Sequence, residues 1–262
     1  MLLDGIIICM QNDTGPIKVS SAEAKSSSQT ARATLVLREM IIDGNFRPNE
    51  RIREIPLAAQ LDVSRIPLRL ALERLAHEGL LEIRPTRGFV VQQFTTSDIY
   101  DAIELRGILE GAAARLASER WRDARDLAAL RESSGEMDAL LRNRKLALEA
   151  FTKYIELNAK FHSALIELSR SKILKRAIKQ ACSLPFASPS AFLLKQSEGS
   201  PDLFFIALDQ HRGIIEAITN RESMRAELLS REHARLARRN LDVALDNREL
   251  LESVRGAKLI QI

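Results

Sequence analysis

The chain contains four histidines, and three of them, His162, His211 and His233, fall in its second half. Each has helical neighbours and can project inward from its helix. Asn158 stands four residues before His162, which puts both on one helix face. Three imidazoles and one amide oxygen from three helices make an N3O set suited to a borderline divalent cation, zinc- or nickel-like, with positions left open for a ligand. Lone histidines also cap helices or satisfy buried polar groups, so spacing alone leaves a metal site and a metal-free pocket both open. Arg106 offers a planar fork that could grip a ligand carboxylate with two hydrogen bonds. An ion pair with Glu104 or Glu110 is its other reading. His77 stands apart, in the first half, and reads as structural.

A second chemistry is carried by arginines. Arg65 and Arg69 sit four apart on one helix face, opposite an apolar stripe of Leu68, Leu72 and Leu75. Such a helix can anchor to its own domain while guanidinium groups enter the major groove and donate to guanine O6 and N7. Arg87 and Gly88 fall at a turn that could reach the minor groove or a phosphate, and Arg51 and Arg53 suit contacts to the DNA backbone. A solvated helix face is the plain alternative. Charge hardly separates the two, since residues 31–92 hold ten Arg against eight Asp and Glu.

The elements that must position these groups follow from periodicity. In the first domain Leu35, Leu37, Met40 and Ile41 recur at helical spacing until Gly44. A short helix covers Ile55 to Leu61, with Leu57, Ala58 and Leu61 inward. Asp62-Val63-Ser64 is a tight turn, with Ser64 the expected N-cap of a third helix running to Glu78. Pro67 is tolerated in its first turn. Leu80–Ile83 and Phe89–Val91 read as two strands around Pro85-Thr86-Arg87-Gly88. Three helices and a hairpin in that order predict a winged helix-turn-helix, the hairpin tip being the wing. Beyond Thr96 the patterns become long and helical: Ser97–Arg120, Asp123–Leu141, Ala147–Ser169, Ile173–Leu184, Leu203–Asn220 and Arg221 to about Asp246. Ser97 with Asp98 reads as the first of these helix starts, a short polar oxygen accepting the orphan amides of the first turn. Pro185 to Pro201 is a loop or broken helix.

The expected fold class is therefore mainly α, a winged helix-turn-helix followed by an all-helical bundle. The domains are a disordered leader over 1–29, the DNA-binding domain over 30–94, the helical domain over 95–250 and a tail over 251–262. The leader is rich in Ser, Ala and Lys, and translation starting at Met10 rather than Met1 is open. Its apolar run Ile6–Met10 is too short to span a membrane and lacks a signal peptide's basic start. Net charge is only +4, far from a ribosomal or histone-like protein. Cys9 and Cys182 form no CxxC pair, which excludes a disulfide framework and fits a reducing cytoplasm.

The run Gly44-x-x-x-Pro48-x-x-x-Ile52-x-Glu54-x-x-Leu57-Ala58-x-x-Leu61-x-Val63-Ser64-Arg65-x-Pro67-x-Arg69-x-Ala71-Leu72-x-x-Leu75-x-x-Glu78-Gly79-Leu80, closing on Arg87-Gly88, resembles the GntR family of regulators. That resemblance implies base and phosphate contacts from Arg65 and Arg69 and a wing-tip contact near Gly88. Three positions depart from it: Asn49 stands for the usual Gly, Leu70 for Glu, and Ile55 for an Arg often present, which points to an altered operator preference. Glu104-x-Arg106-x-x-x-Glu110, Asn158-x-x-x-His162, His211 and His233 are similar to the FCD ligand-binding domain of the FadR branch. In that domain an Asp and three His commonly hold a metal that meets a carboxylate effector. Here the histidines match and Asn158 stands where Asp is expected. Losing that negative charge should weaken metal binding until an anionic effector supplies it.

The resemblance implies a cytoplasmic transcription regulator, dimeric on palindromic half-sites of double-stranded DNA, with operator binding controlled by a small organic acid. A metal-dependent hydrolase with an accessory winged-helix module is the alternative, since an open metal position can activate water. The chain has no HExxH or nucleophile elbow, and Glu167 and Asp209 are near the histidines only in sequence.

Overall fold

The first helix, α1 (Ser21–Ile42), packs Ala33, Leu37 and Ile41 inward at a spacing of four, one stripe along its second half. The computed structural model describes residues 21–142, 148–193 and 203–261. Residues 21–29, expected in the leader, are thus helical; the rest of that leader, with Cys9 and both candidate starts, lies outside the described residues. Ala22, Glu23, Ala24 and Lys25 are good helix formers, which explains the earlier start. Leu35, expected inward, is exposed because it falls two residues from the 33/37/41 stripe.

Helices α2 (Glu54–Leu61) and α3 (Arg65–His77) follow, then an antiparallel hairpin of β1 (Leu81–Arg84) and β2 (Gly88–Val91). Leu57, Leu68, Leu72, Leu75, Phe89 and Val91 close the core between them. Gly88 sits at φ +67° with open space around it, so backbone conformation rather than crowding favours glycine there. Ser64 precedes α3 with extended backbone, but its side chain makes none of the expected capping bond.

The second domain begins with α4 (Thr96–Arg120), two residues after the short strand β3 (Phe94–Thr95) starts. Its cap is Thr95 rather than Ser97: Thr95 Oγ1 accepts from the Asp98 amide and the Asp98 carboxylate accepts from the Thr95 amide. Around α4 lie α6 (Leu148–Leu168), α7 (Lys172–Ala181), α8 (Leu203–Thr219) and α9 (Ser223–Ala234), with α5 (Ala128–Leu141) packed on α6 and α8. The segment from Pro185 opens with a 3-10 turn, and 194–202 lie outside the described residues. Helix α9 presses directly on α4: a Cβ at Gly111 would come within 3.0 Å of the Glu227 carbonyl.

Two expectations fail toward the C-terminus. The single helix from Arg221 to Asp246 is broken at Arg235 into α9 and α10 (Leu236–Leu245). The tail from 251 is no loose end. After α11 (Arg248–Ser253) a 3-10 turn leads to β4 (Ile260–Gln261), which pairs in parallel with β3. Leu251, Val254, Leu259 and Ile260 enter the same core as Leu37, Ile41 and Phe94. Arg255 pairs with Glu39 and Lys258 Nζ donates to the Asp43 carbonyl at 3.3 Å. A segment this short carries no periodicity of its own and acquires an inside only when set against the first domain. At another junction, Gln180 Nε2 donates to the His77 carbonyl (3.1 Å) and Ser183 Oγ to that of Glu78 (3.2 Å), so the helical domain touches the end of α3. Among the described residues no helix is long and apolar enough to cross a membrane.

Candidate functional site

Three helices bring the expected histidines together. His162 comes from α6, His211 from α8 and His233 from α9, and all three are buried. Their ring nitrogens lie within 4.8 Å of one another. His211 Nε2 stands 3.0 Å from His233 Nε2, and His233 Nε2 stands 3.3 Å from His162 Nε2. The Phe161 ring stacks on His211 with centroids 3.9 Å apart and walls one side.

The outward nitrogens meet different surroundings. His233 Nδ1 lies 3.0 Å from Gln210 Oε1, and His162 Nδ1 faces Glu110 Oε1 at 3.2 Å. Gln210 Oε1 is an acceptor, which makes His233 Nδ1 the donor and turns its Nε2 lone pair inward, whereas His162 Nδ1 and Glu110 Oε1 face each other without a hydrogen bond. Burial, and then the neighbouring histidines, push the His211 imidazole well below its ordinary range; burial, and then His162, push His233 down to about 3. Neutral imidazoles are the form a metal requires. Three imidazole nitrogens brought this close can share a proton or a cation, and the donor set fits a divalent metal.

Asn158 is buried a turn before His162, with its Nδ2 donating to Ser190 Oγ (3.2 Å) and the Pro189 carbonyl (3.4 Å). Those bonds use the amide nitrogen; the carbonyl oxygen is the atom an N3O set would employ. Arg106 is buried as well. Its Nη1 lies 3.5 Å from Glu110 Oε2 and its Nη2 donates to the Ala234 carbonyl at 3.3 Å, where α9 breaks, while its Nε has no partner. The ion pair with Glu110 is therefore the one formed; Glu104 pairs instead with Arg231 and Arg235.

Glu110 is the residue whose part the sequence reading missed, having been noted only as an ion-pair partner. It is fully buried between Arg106 and His162. Burial works to raise its carboxyl, but the neighbouring His162 and Arg106 outweigh that and hold it at about 2. Its place four residues after Arg106 was the available signal, since both must then face one way; that His162 lies opposite required the fold.

The arginines assemble on a different surface. On α3, Leu68, Leu72 and Leu75 are buried and Arg65 and Arg69 exposed, with Arg69 Nε 3.4 Å from Glu73. Arg51, Arg53, Arg65, Arg69, Arg87 and Gly88 line one concave face. Arg51 bridges to Val90 and the Ile52 amide donates to the Phe89 carbonyl at 2.9 Å, so this segment runs as a third edge on the hairpin and fixes both arginines beside the wing.

Known proteins share both halves. The profile of the bacterial regulatory proteins of the gntR family matches residues 29–91, and that of the FCD domain matches residues 101–236. The Nta operon transcriptional regulator of Aminobacter aminovorans is 38% identical over 140 residues, covering 53% of this chain and 63% of that relative. The uncharacterized HTH-type transcriptional regulator YdhC of Bacillus subtilis is 33% identical over 143 residues, covering 55% and 62%. The matched stretch thus spans less than two thirds of either relative. Among solved structures, E. coli McbR/YncC has the same fold at a TM-score of 0.57 and 21% identity, covering 84% of this chain and 98% of that one. With both profiles present in this order, the chain belongs to the gntR family of bacterial regulatory proteins, and its second domain is of the FCD type.

Proposed function

We propose that the protein is a DNA-binding transcription regulator whose affinity for its operator is set by a small organic acid bound in the helical domain. The observation that carries this reading is the exposed Arg65–Arg69 pair on α3, held by a buried leucine stripe and flanked by Arg51, Arg53 and Arg87 on one face. Arg65 and Arg69 read base edges, Arg87 and Gly88 meet the groove beside the wing, and Arg53 meets a phosphate. Ser64 starts the reading helix at the DNA backbone. A two-fold dimer on palindromic half-sites about one turn apart is the arrangement such a head requires.

In the helical domain His162, His211, His233 and the Asn158 oxygen would hold a zinc- or nickel-like cation, which would supply Lewis acidity toward the effector carboxylate. Two Arg106 donors are engaged inside the protein, which leaves its Nε as the donor it has to offer a carboxylate. The missing charge at Asn158 is made up in part by Glu110, which acts through His162. Effector and DNA affinities are coupled reciprocally, and the contacts of Gln180 and Ser183 with the end of α3 offer a route. The hydrolase alternative gains nothing from the relatives, whose names are those of regulators.

The test is binding to the chain's own upstream duplex over a salt series. A specific complex should form, with Arg65→Ala costing about 1–3 kcal/mol on that sequence and far less on random DNA. Absence of any specific complex at every salt concentration, with turnover of a small ester, overturns the reading in favour of the hydrolase.

A further inference from the structure

The concave face that gathers the arginines also exposes the large apolar side chains of Ile55 and Ile66, and Leu70 stands exposed one turn further along α3. Ile55 on α2 is 66% exposed, and Ile66 and Leu70 on α3 are 72% and 46% exposed. Ile66 and Leu70 are four residues apart. They form a row alongside the row of Arg65 and Arg69, one position further round the helix. Ile55, Ile66, Arg65, Arg69 and Arg87 line the same hollow. Apolar residues scattered singly over a surface are ordinary. Here they cluster at the part of the molecule whose charge calls for a polyanion, and a partner rich in cations would be repelled by the surrounding guanidinium groups.

We propose that Ile66 and Leu70, with Ile55 beside them, read thymine methyl groups in the major groove, so that the operator half-site sets thymines next to the guanines bound by Arg65 and Arg69. This rests on the DNA-binding reading above and deepens it to a base preference. Thymine alone among the four bases presents a methyl in that groove. Burying the methyl against a branched aliphatic side chain removes apolar surface of both from water. A cytosine at the same place would bring its N4 amino donor against a group unable to accept from it, leaving a desolvated donor unpaired. An aliphatic side chain therefore favours thymine and rejects cytosine, whereas a carboxylate at position 70 would do the reverse.

The experiment is to select duplexes from a random pool with the full chain and replace each thymine of the selected half-site by deoxyuridine, which deletes only the methyl. Affinity is then read by fluorescence anisotropy at constant salt. Removal of a contacted methyl should weaken binding about fourfold, and the loss should vanish in Ile66→Ala or Leu70→Ala. Selection with Leu70→Glu should exchange thymine for cytosine at one position. All three variants alter exposed side chains, and unchanged melting shows that they are folded. The inference is overturned if no uracil substitution weakens binding, or if the loss persists undiminished in both alanine variants. Variants that change the oligomeric state but leave DNA affinity untouched would assign the patch to a protein interface, and overturn it too. If the wild-type chain selects no sequence at all, the DNA-binding reading itself has failed and takes this inference with it.

Discussion

Replacing Leu259 by alanine, in the segment after the FCD match, should destabilise the DNA-binding domain at the other end of the chain. Leu259 is fully buried and shares a core with Leu37, Ile41, Leu251 and Phe94, while β4 immediately after it pairs with β3. Truncating a core leucine costs about 2–5 kcal/mol through lost transfer energy and the cavity left behind. A fully enclosed site whose walls belong to α1, β3 and α11 has little room to collapse, so about 3 kcal/mol is expected. If the described chain melts as one unit, this lowers Tm by roughly 6–12 °C; if the first domain melts alone, by roughly 12–24 °C. Calorimetry distinguishes the two, and a urea titration should show a lower midpoint at unchanged slope. Gln261→Ala is the control: its side chain is exposed while its backbone pairing with Thr95 is retained, so its effect should stay within about 0.5 kcal/mol. A Leu259→Ala protein melting within about 2 °C of the parent, a fraction of the smallest shift derived above, would refute the claim that this segment is part of the first domain's core.

The remaining predictions concern the histidine site and the thiol. Glu110→Gln should lower the affinity for zinc or nickel by about 10–100-fold in chelator competition, and Asn158→Asp should raise it; affinity unchanged in Glu110→Gln would remove Glu110 from the site. Cys182 should be slow toward thiol reagents: burial first, then the Glu110 charge, push its thiol up to about 11. In a Cys9→Ser background its rate at pH 8 should be roughly a hundredfold below that of a free thiol and rise tenfold per unit of pH up to that value. A native-state rate equal to that of free cysteine at pH 8 would contradict the burial argument.

Much of the first domain was legible because its signals are local. Buried Leu68, Leu72 and Leu75 repeat at helical spacing within one segment, Gly88 answers a turn's need for positive φ, and Arg65 and Arg69 face out because the leucines face in. Boundaries were less so. Thr95 rather than Ser97 caps α4, since a capping box is settled by which hydroxyl meets the third amide. Nothing in the composition of residues 221–246 announces the break at Arg235.

The three histidines were identifiable by residue type, and their meeting was expected through a likeness; their convergence depends on α6, α8 and α9 packing together around α4. Glu110 opposite His162, Arg106 turned to Ala234, and Asn158 tied through its nitrogen are all contacts between segments distant in the chain. The same holds for Leu259 against α1. Helical periodicity says which face of a segment is inward, because it depends only on neighbours three and four residues away. It does not say which other segment that face will meet, and for buried charges, metal ligands and a two-residue strand the partner decides everything.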